Sequence, residues 1–505
     1  MASNDLLLGV DIGTQGVKAA LVDRRGRVAA RAQVEHDCTY PRPGWAEHDM
    51  SLNWWENPLR VIREALAGVP DGSARVAGVG VSGLYPALGP TDAEGNPLAP
   101  AILYSDNRAL AELEEVNRAL GLNLTSEELT PRLIWLIRHR PEIAGRMRMF
   151  FDAAHYLVYH LCGAYVTDTI TVGLYGAIHA APSMTWREGV CARFGIDPAL
   201  LPRAVPPATV VGPLHAQAAR ATGLSAGTPV LAGMPDLVAS ILSAGATARD
   251  EAVAYYGTAG VVPVSKDDLL RAMWHPFPEE DGYLYDYPHY SLAVGEAVRW
   301  FRNTFGREEI GAAAREPSQT AYQRLDALAA EVPAGSDGLL MLPYFQGQRS
   351  PVFDPAASAA FFGMLPSHGR GHYFRAVLEA FGYSIRHGLE SYFPQGVPLR
   401  RLVATGGGAR SALWRQIVSD ITGLRQDYVP DAEGAVGSAY AAGLGIGWFS
   451  DFAPLERDWV RVAAAVVPDP AAQRAYERFY PIYVELHEAL RRTWAGHRAL
   501  VEGRA

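Results

Sequence analysis

The sequence is poor in cysteine: its 505 residues include only Cys38, Cys162 and Cys191, which are widely separated. This spacing excludes a disulfide framework and a cysteine-based metal site, and it is typical of proteins in a reducing compartment. The N-terminus has no signal-peptide pattern, and glycine and charged residues interrupt every long apolar run. We therefore predict a cytoplasmic protein without a membrane-spanning segment.

Basic residues are outnumbered by acidic ones, 45 against 54, which gives a formal net charge of −9. Binding of nucleic acid or of an anionic membrane requires basic surfaces, so the composition argues against both as partners. The glycine turn at residues 13–16 is neither a Walker A loop nor a dinucleotide-binding fingerprint, because no Gly-Lys-Ser/Thr follows it and no predicted helix begins at its glycines. An anion site in this chain would instead use backbone amides, a local arginine or Mg²⁺.

The remaining composition, 49% apolar and 20% charged residues, is that of a globular protein. A chain of this length exceeds one hydrophobic core, so we predict two domains. Residues 247–251 have the composition of a linker. The first domain would cover residues 1–246 and the second residues 247–505.

The clearest local pattern is the segment 6–23, in which an apolar run ends at Asp11. It predicts a buried strand, a tight turn between Gly13 and Gly16, and a return strand. At the turn, backbone N–H groups and the Thr14 hydroxyl could approach an anion, and Asp11 could hold Mg²⁺. On this pattern alone, an ordinary hairpin with an acidic turn is an equal alternative.

Two further predicted strands lead into polar residues. The strand over residues 101–104 precedes Asp106 and Arg108, and the strand that begins at residue 229 precedes Asp236 and a helix of small residues. Ligands in α/β proteins bind at such strand ends. Both aspartates also fit helix N-caps. A helix N-terminus would keep Asp236 ionised, as a general base requires.

A second hairpin, over residues 252–264, repeats the plan of strand, Gly-Thr turn and strand around Gly257 and Thr258. This repetition indicates an internal duplication and the layout of two actin-like ATPase (ribonuclease H-like) α/β domains with a cleft between them. A triple glycine, residues 406–408, follows another buried strand. It indicates a ligand pressed against the main chain, with a flexible turn as the alternative.

In this order the motifs resemble those of the FGGY carbohydrate kinases over nearly the full chain. The segments that carry the resemblance are residues 11–18, 257–260, 347–351 and 406–411 with Trp414. The resemblance implies ATP and Mg²⁺ as cofactors and a small sugar as the second substrate. It also implies that Asp236 is the catalytic base, with a normal pKa, and a Mg²⁺ ligand together with Asp11.

The remaining site residues are carried over from the same motifs. Those expected at the nucleotide are Thr14, Gln15, Gly257, Thr258, Gly407, Gly408 and Ser411. Those expected at the sugar are Tyr85, Asp106, Arg108, Thr130 and Asp236. The sugar loop departs from the family, because Leu84-Tyr85-Pro86-Ala87 stands where members that phosphorylate xylulose have Gln-Met-His-Gly.

The sequence thus predicts a kinase that transfers the γ-phosphate of ATP to a hydroxyl of a small sugar, with D-xylulose and its 5-phosphate as the first choice. Ribulose, glycerol or a tetritol are alternative acceptors. From other classes, the alternatives are a catalytically silent actin-fold nucleotide sensor and a sugar-binding protein without nucleotide. The assembly stays open, with a homodimer as one alternative.

Overall fold

A computed structural model describes residues 4–180, 183–276, 284–291 and 293–501. The strands are β1 (Leu6–Gly13), β2 (Gly16–Asp23), β3 (Val28–Glu35), β4 (Glu47–His48), β5 (Val76–Gly83), β6 (Gly89–Thr91), β7 (Ala101–Ile102), β8 (Met149–Phe151), β9 (Val166–Asp168), β10 (His179–Ala180), β11 (Thr185–Trp186), β12 (Arg203–Val205), β13 (Val210–Pro213), β14 (Pro229–Leu231), β15 (Met234–Pro235), β16 (Glu251–Tyr256), β17 (Gly260–Ser265), β18 (Tyr285–Ser291), β19 (Leu340–Leu342), β20 (Ala360–Phe362), β21 (Arg401–Thr405), β22 (Arg425–Tyr428) and β23 (Ala464–Val466).

The α-helices are α1 (Asn57–Ala67), α2 (Gly72–Arg75), α3 (Leu110–Leu120), α4 (Leu129–His139), α5 (Pro141–Ala144), α6 (Ala153–Cys162), α7 (Glu188–Arg193), α8 (Ala216–Thr222), α9 (Asp236–Ala244), α10 (Leu269–Ala272), α11 (Val294–Phe305), α12 (Arg307–Arg315), α13 (Ala321–Ala330), α14 (Arg370–Tyr392), α15 (Ala412–Thr422), α16 (Gly434–Gly445) and α17 (Pro470–Val501). No helix among the described residues is long and apolar enough to span a membrane.

The chain folds into two compact units. The first contains the described residues within Met1–Thr247, Lys266–Leu284 and Ala432–Val460, and the second contains those within Ala248–Ser265, Tyr285–Asp431 and Arg461–Ala505. The first change of unit therefore lies next to the expected boundary at residue 246. The later segments that join the first unit have no counterpart in the two continuous domains expected from the sequence.

The sheet of the first unit has the strand order β13-β14-β5-β1-β2-β3, with β15 also pairing with β5. Strands β1, β2 and β3 form an antiparallel meander, whereas β1 and β5 are parallel. The side chains of Leu6, Leu7, Leu8 and Val10 are at most 1% exposed, as expected for a strand that is covered on both faces. The predicted first hairpin is confirmed.

The sheet of the second unit repeats this plan, with the order β18-β17-β16-β21-β22-β23. Strands β16, β17 and β18 are antiparallel neighbours, and β16, β21 and β22 are parallel. The edge strand next to the parallel strands is antiparallel in both units: β13 runs antiparallel to β14, and β23 runs antiparallel to β22. The duplication expected from the two Gly-Thr hairpins is therefore present in the strand order of the two sheets.

Helix α16 approaches the first sheet closely enough to require glycine in the strands. A Cβ atom on Gly9 of β1 would collide with the carbonyl oxygen of Ala435, and one on Gly80 of β5 would collide with that of Ser438. Because neither obstacle is a flexible side chain, the small residues allow the helix backbone to lie directly on the sheet. This packing places the start of α16 against Asp11.

Several helix starts differ from the sequence predictions. Helix α3 begins at Leu110 with Ala109 as its N-cap, and α9 begins at Asp236 with Pro235 as its N-cap. The N-cap predictions for Asp106 and Asp236 were therefore wrong. The Asp106 carboxylate instead accepts hydrogen bonds within its own loop, and Asp236 lies one residue inside its helix. The strand expected over residues 101–104 is shorter, since only β7 (Ala101–Ile102) is a strand.

Candidate active site

Three neighbouring strands of the first unit place two aspartates at one edge of the sheet. Asp11 on β1 pairs with Ser82 on β5, and Ser82 also pairs with Met234 on β15. Asp236 follows Met234 by two residues, at the first position of α9. Because parallel strands end at the same edge, their register brings Asp11 and Asp236 together although 225 positions separate them in the sequence.

Asp11 is held by hydroxyl groups. The Ser82 Oγ donates a hydrogen bond of 2.6 Å to Asp11 Oδ1, and the Ser438 Oγ lies 2.9 Å from that of Ser82. Ser438 belongs to α16, whose first residue, Gly434, would carry a Cβ atom 2.5 Å from Asp11 Oδ2. The glycine therefore leaves room for the carboxylate at the helix N-terminus, which favours its negative charge.

The electrostatics of the two aspartates differ from the expectation of a normal pKa at Asp236. Burial and the neighbouring Asp11 raise the pKa of Asp236 to about 8, although the Leu237 N–H donates a 2.8 Å hydrogen bond to Asp236 Oδ1. Burial also raises the pKa of Asp11, against the hydrogen bond from Ser82. Desolvation and repulsion thus outweigh the helix N-terminus, and a cation between the carboxylates would remove the repulsion.

The donor set at this edge fits Mg²⁺ that is shared with phosphate. Among the described residues, no group of three or more His, Cys, Asp or Glu side chains is arranged to hold a metal ion. Mg²⁺ commonly takes one or two carboxylates and completes its octahedron with water and phosphate oxygens. Asp11 and Asp236 match that pattern, whereas a structural site made only of protein ligands would require more donors.

The structure places Asp106 and Arg108 in a closed ion-pair network. Asp106 accepts hydrogen bonds from the Arg108 guanidinium, from the Arg108 backbone N–H and from the Ala46 N–H at 2.6–2.9 Å, and the guanidinium also donates to Glu47 at 2.7 Å. The Arg108 guanidinium lies 3.7 Å from the centroid of the Trp45 ring. Both side chains are nearly inaccessible, at 0% for Asp106 and 3% for Arg108. This geometry favours a role in bracing the loop over contact with a sugar.

The other two sugar candidates lie in different surroundings. Tyr85 is partly buried in the loop after β5, and Thr130 is fully buried in the first turn of α4. Within the described part of the chain, the Thr130 hydroxyl has no hydrogen-bond partner. Tyr104 is a further candidate that was not among the predicted site residues. Its hydroxyl forms a hydrogen bond with the Thr14 side chain, and its pKa is raised by burial and by the charge of Asp236. Its position as the last residue of the strand predicted over residues 101–104 was the available signal.

In the second unit, the Gly-Thr turn joins β16 to β17. The N–H of Gly295, on α11, lies 3.0 Å from the carbonyl oxygen of Gly257 and 3.1 Å from that of Thr258. A Cβ atom on Gly295 would collide with the Gly257 carbonyl. The Thr258 side chain is exposed. A backbone amide thus fixes the turn and leaves the threonine hydroxyl accessible.

The triple glycine lies in the same unit, between β21 and α15. Gly406 has φ +92°, a conformation that favours glycine. A Cβ atom on Gly407 would meet nothing within 4 Å, whereas one on Gly408 would lie 2.5 Å from the Trp414 ring. Ser411 is the N-cap of α15, its Oγ accepting a 3.0 Å hydrogen bond from the Trp414 N–H. Only Gly407 therefore presents an open backbone surface.

Family models match both parts of the chain. The N-terminal domain of the FGGY family of carbohydrate kinases matches residues 6–243, and the C-terminal domain of that family matches residues 252–446. The chain belongs to the FGGY family of carbohydrate kinases. It is accordingly a phosphotransferase with an alcohol group as acceptor, and kinases of this family use ATP as the phosphate donor, generally with Mg²⁺. The resemblance that the motifs indicated is confirmed.

The similar proteins cover almost all of the chain. A xylulose kinase of Bacillus subtilis is 26% identical, over 95% of this chain and 96% of its own. An L-xylulose/3-keto-L-gulonate kinase of Escherichia coli is 28% identical, over 96% and 97%. The crystal structure of a xylulose kinase from Rhodospirillum rubrum is 31% identical, with a TM-score of 0.83 over 97% of this chain and all of that chain. The predicted FGGY kinase fold is thus confirmed.

Proposed function

We propose that this kinase transfers the γ-phosphate of ATP to a primary hydroxyl of a ketopentose, with D-xylulose as the first candidate and D-xylulose 5-phosphate as the product. The observation that carries the proposal is the juxtaposition of Asp11, Asp236 and the turn around Thr14 at one edge of the first sheet. Two relatives that phosphorylate xylulose isomers, by their names, support the sugar class.

Asp236 is the base in this proposal. Bound Mg²⁺ supplies positive charge that neutralises the phosphate oxygens and the adjacent carboxylates. With that charge present, Asp236 is ionised and accepts the proton of the sugar hydroxyl. In a loose transition state the proton leaves late, so alignment of the hydroxyl matters more than the strength of the base. Asp11 would hold the ion, and the hydrogen bond from Ser82 orients the Asp11 carboxylate.

The nucleotide contacts are proposed for two groups of residues. In the first unit, the Thr14 hydroxyl and the backbone at Gln15 face the transferred phosphate. In the second, the turn at Gly257 and Thr258 contacts the other phosphates, and Gly407, Gly408 and Ser411 flank the adenosine. The accessible Thr258 hydroxyl and the open backbone at Gly407 support these roles, and Gly408 contributes by allowing Trp414 to pack beneath the turn.

The sugar contacts are proposed for Tyr85, Thr130 and Tyr104. Thr130 offers a buried hydroxyl whose hydrogen-bonding capacity is unused by the described residues. The phenol of Tyr104 is placed by Thr14 and lies within the electrostatic reach of Asp236. A buried unused hydroxyl is favourable when a sugar hydroxyl satisfies it, and it discriminates against analogues that lack that hydroxyl.

The test is a coupled ADP-release assay with Mg-ATP against D- and L-xylulose, D- and L-ribulose, glycerol, tetritols and gluconate. We expect one ketopentose to give the highest kcat/KM, and Asp236→Asn to abolish that turnover while nucleotide binding persists. A higher kcat/KM for an acid or for glycerol would overturn the ketopentose assignment. Sugar-dependent turnover that survives in Asp236→Asn would overturn the assignment of the base.

A further inference from the structure

Two histidines contact the outer side of the first Gly-Thr turn. The His36 Nε2 lies 3.1 Å from the carbonyl oxygen of Gly13, and the His48 Nε2 lies 3.1 Å from that of Thr14. The next carbonyl, of Gln15, accepts a 3.1 Å hydrogen bond from the backbone N–H of His36. Three consecutive carbonyl groups of one turn are therefore held by the segment that follows β3.

The neighbours of each ring determine which nitrogen carries the proton. The Trp54 indole N–H, which can only donate, lies 3.1 Å from His48 Nδ1. In the neutral ring, Nε2 then carries the hydrogen and donates it to the Thr14 carbonyl. Burial and the nearby His36 lower the pKa of His48 to about 4, which keeps that ring neutral. The Cys38 thiol also lies against the Thr14 carbonyl, at 3.4 Å.

His36 has the same arrangement. A carbonyl oxygen can only accept, so the contact with Gly13 requires the hydrogen on His36 Nε2. Its Nδ1 is then free to accept from the Asn57 side-chain amide at 3.4 Å. The two imidazole rings lie edge to face with centroids 4.9 Å apart. Each ring is thus oriented from behind by a donor and directs its own N–H at the turn.

Holding the carbonyls also orients the amide groups. In a trans peptide unit the C=O and the N–H point in opposite directions, so fixing the oxygens of Gly13 and Thr14 on one side directs the N–H groups of Thr14 and Gln15 to the other. Among the described residues, the hydrogen bonds of turns and loops include none donated by these two N–H groups. They are available to an anion, as in other backbone nests.

We propose that His36 and His48 are positioning residues that hold the turn so that the N–H groups of Thr14 and Gln15 bind the terminal phosphate of the nucleotide. This inference rests on the proposed function only for the identity of the anion. A purely structural role would stabilise the fold without affecting one phosphate more than another. A positioning role affects nucleotides that carry the third phosphate and spares those that end at the second.

The experiment compares His48→Phe with His48→Gln, whose amide nitrogen reaches as far as Nε2 and can donate to the Thr14 carbonyl. His160→Phe is the matched control, since His160 is a half-buried histidine of the same unit with a lowered pKa, packed against Trp55 and Tyr156. For each protein, calorimetry gives the Kd of Mg-ADP and of Mg-AMP-PNP. Hydrogen exchange in the absence of nucleotide follows peptides covering residues 10–18 and 34–40.

We expect His48→Phe to raise the Kd of Mg-AMP-PNP about tenfold and to change the Kd of Mg-ADP by less than about twofold. Hydrogen exchange should become faster in both peptides. His48→Gln and His160→Phe should match the wild type. Equal loss for both nucleotides, or no change in exchange, would overturn the inference. Wild-type protein that binds neither nucleotide would contradict the proposed function and the phosphate role, and exchange would still decide whether the histidines hold the turn.

Discussion

The two Gly-Thr turns occupy equivalent places in the two sheets, but different groups hold them. In the first unit, the imidazole N–H groups of His36 and His48 donate hydrogen bonds to the carbonyls of Gly13 and Thr14. In the second unit, the backbone N–H of Gly295 donates hydrogen bonds to both corresponding carbonyls, those of Gly257 and Thr258. A substitution can remove an imidazole donor but not a backbone amide, so the donors to the first turn can be deleted one at a time, whereas the second turn can be disturbed only sterically.

A second difference concerns the residue two positions before the first glycine of each turn. In the first hairpin it is Asp11, whose carboxylate accepts a hydrogen bond from Ser82. In the second it is Tyr255, whose side chain is 44% exposed. The same backbone plan therefore carries an acid in one unit and an aromatic residue in the other. This contrast fits the proposal in which Asp11 of the first hairpin holds Mg²⁺ and the second hairpin contacts only the phosphates.

The largest effect should come from exchanging the acid of the first hairpin. Asp11→Asn removes one of the two charges available to Mg²⁺ and should lower kcat roughly 10²-fold or more, while Tyr255→Phe at the equivalent position should change kcat by less than about twofold. Steady-state kinetics at several Mg²⁺ concentrations measure both. Equal losses in the two variants would show that the hairpins do not divide the work in this way.

The second turn should be sensitive to a single methyl group behind it. Gly295→Ala introduces a Cβ atom against the Gly257 carbonyl. This contact should lower the free energy of unfolding by about 1–3 kcal/mol, and it should lower the affinity for ADP and for AMP-PNP alike, by about tenfold. Gly311→Ala, where the added methyl meets only the end of the Arg315 side chain at 3.5 Å, is the control. Thermal unfolding and calorimetric Kd values test this. Selective loss of AMP-PNP would reverse the roles assigned to the two turns.

The glycine turn of the second sheet offers a matched pair. Gly407 has helical dihedral angles and open space around it. Gly407→Val should therefore leave Tm nearly unchanged and lower the affinity for ATP by about tenfold. Gly408→Val pushes its side chain into the Trp414 ring, so it should lower Tm as well as ATP affinity. Melting curves with and without nucleotide separate these effects. Unchanged nucleotide affinity in Gly407→Val would remove this turn from the site.

The two units also contain different buried ion pairs. The pH dependence of stability that follows from the His155 pair is the smallest effect that we predict. His155 lies 2.7 Å from the Asp152 carboxylate and 3.5 Å from Asp168. Burial opposes protonation, but these carboxylates prevail and raise the pKa of His155 above 6.5. The second unit instead buries the pair of Arg375 and Glu379, in which the pKa of Arg375 is also raised.

Because the folded pKa of His155 exceeds its unfolded value, the imidazolium contributes stability that is complete below about pH 6.5 and is lost as the pH rises through the folded pKa. We expect the stability difference between wild type and His155→Gln to shrink by about 1 kcal/mol between pH 6 and pH 9. Calorimetric unfolding of both proteins across this range is the measurement. A difference that stays constant with pH would mean that folding leaves the pKa of His155 unchanged, and a difference that grows with pH would mean that the folded ring is neutral.

Features encoded by neighbouring residues could be predicted from the sequence. Both hairpins, the Gly-Thr turns and the small-residue helix after Asp236 follow from local periodicity and glycine position, and the structure contains them all. The order of strand, turn and acid predicted for residues 229–236 is also present, with Asp236 at the start of α9. These parts of the account depend on short stretches of chain.

Features that depend on distant partners could not be predicted. The Asp106 and Arg108 pair is closed by Glu47, some 60 residues away. The imidazole contacts with Gly13 and Thr14 span 23 and 34 residues. The raised pKa of Asp236 required knowledge of burial and of Asp11 beside it. No local pattern in the sequence indicates any of these contacts.

The central claim is phosphoryl transfer to a sugar under the control of Asp236. It is tested most directly by incubating the protein with Mg²⁺ and ATP that carries ¹⁸O in its γ-phosphate, together with a ketopentose mixture, and by locating the label with mass spectrometry. We expect labelled ketopentose phosphate with the wild type and none with Asp236→Asn. Label found only in inorganic phosphate, or an equal yield of sugar phosphate from the variant, would contradict it.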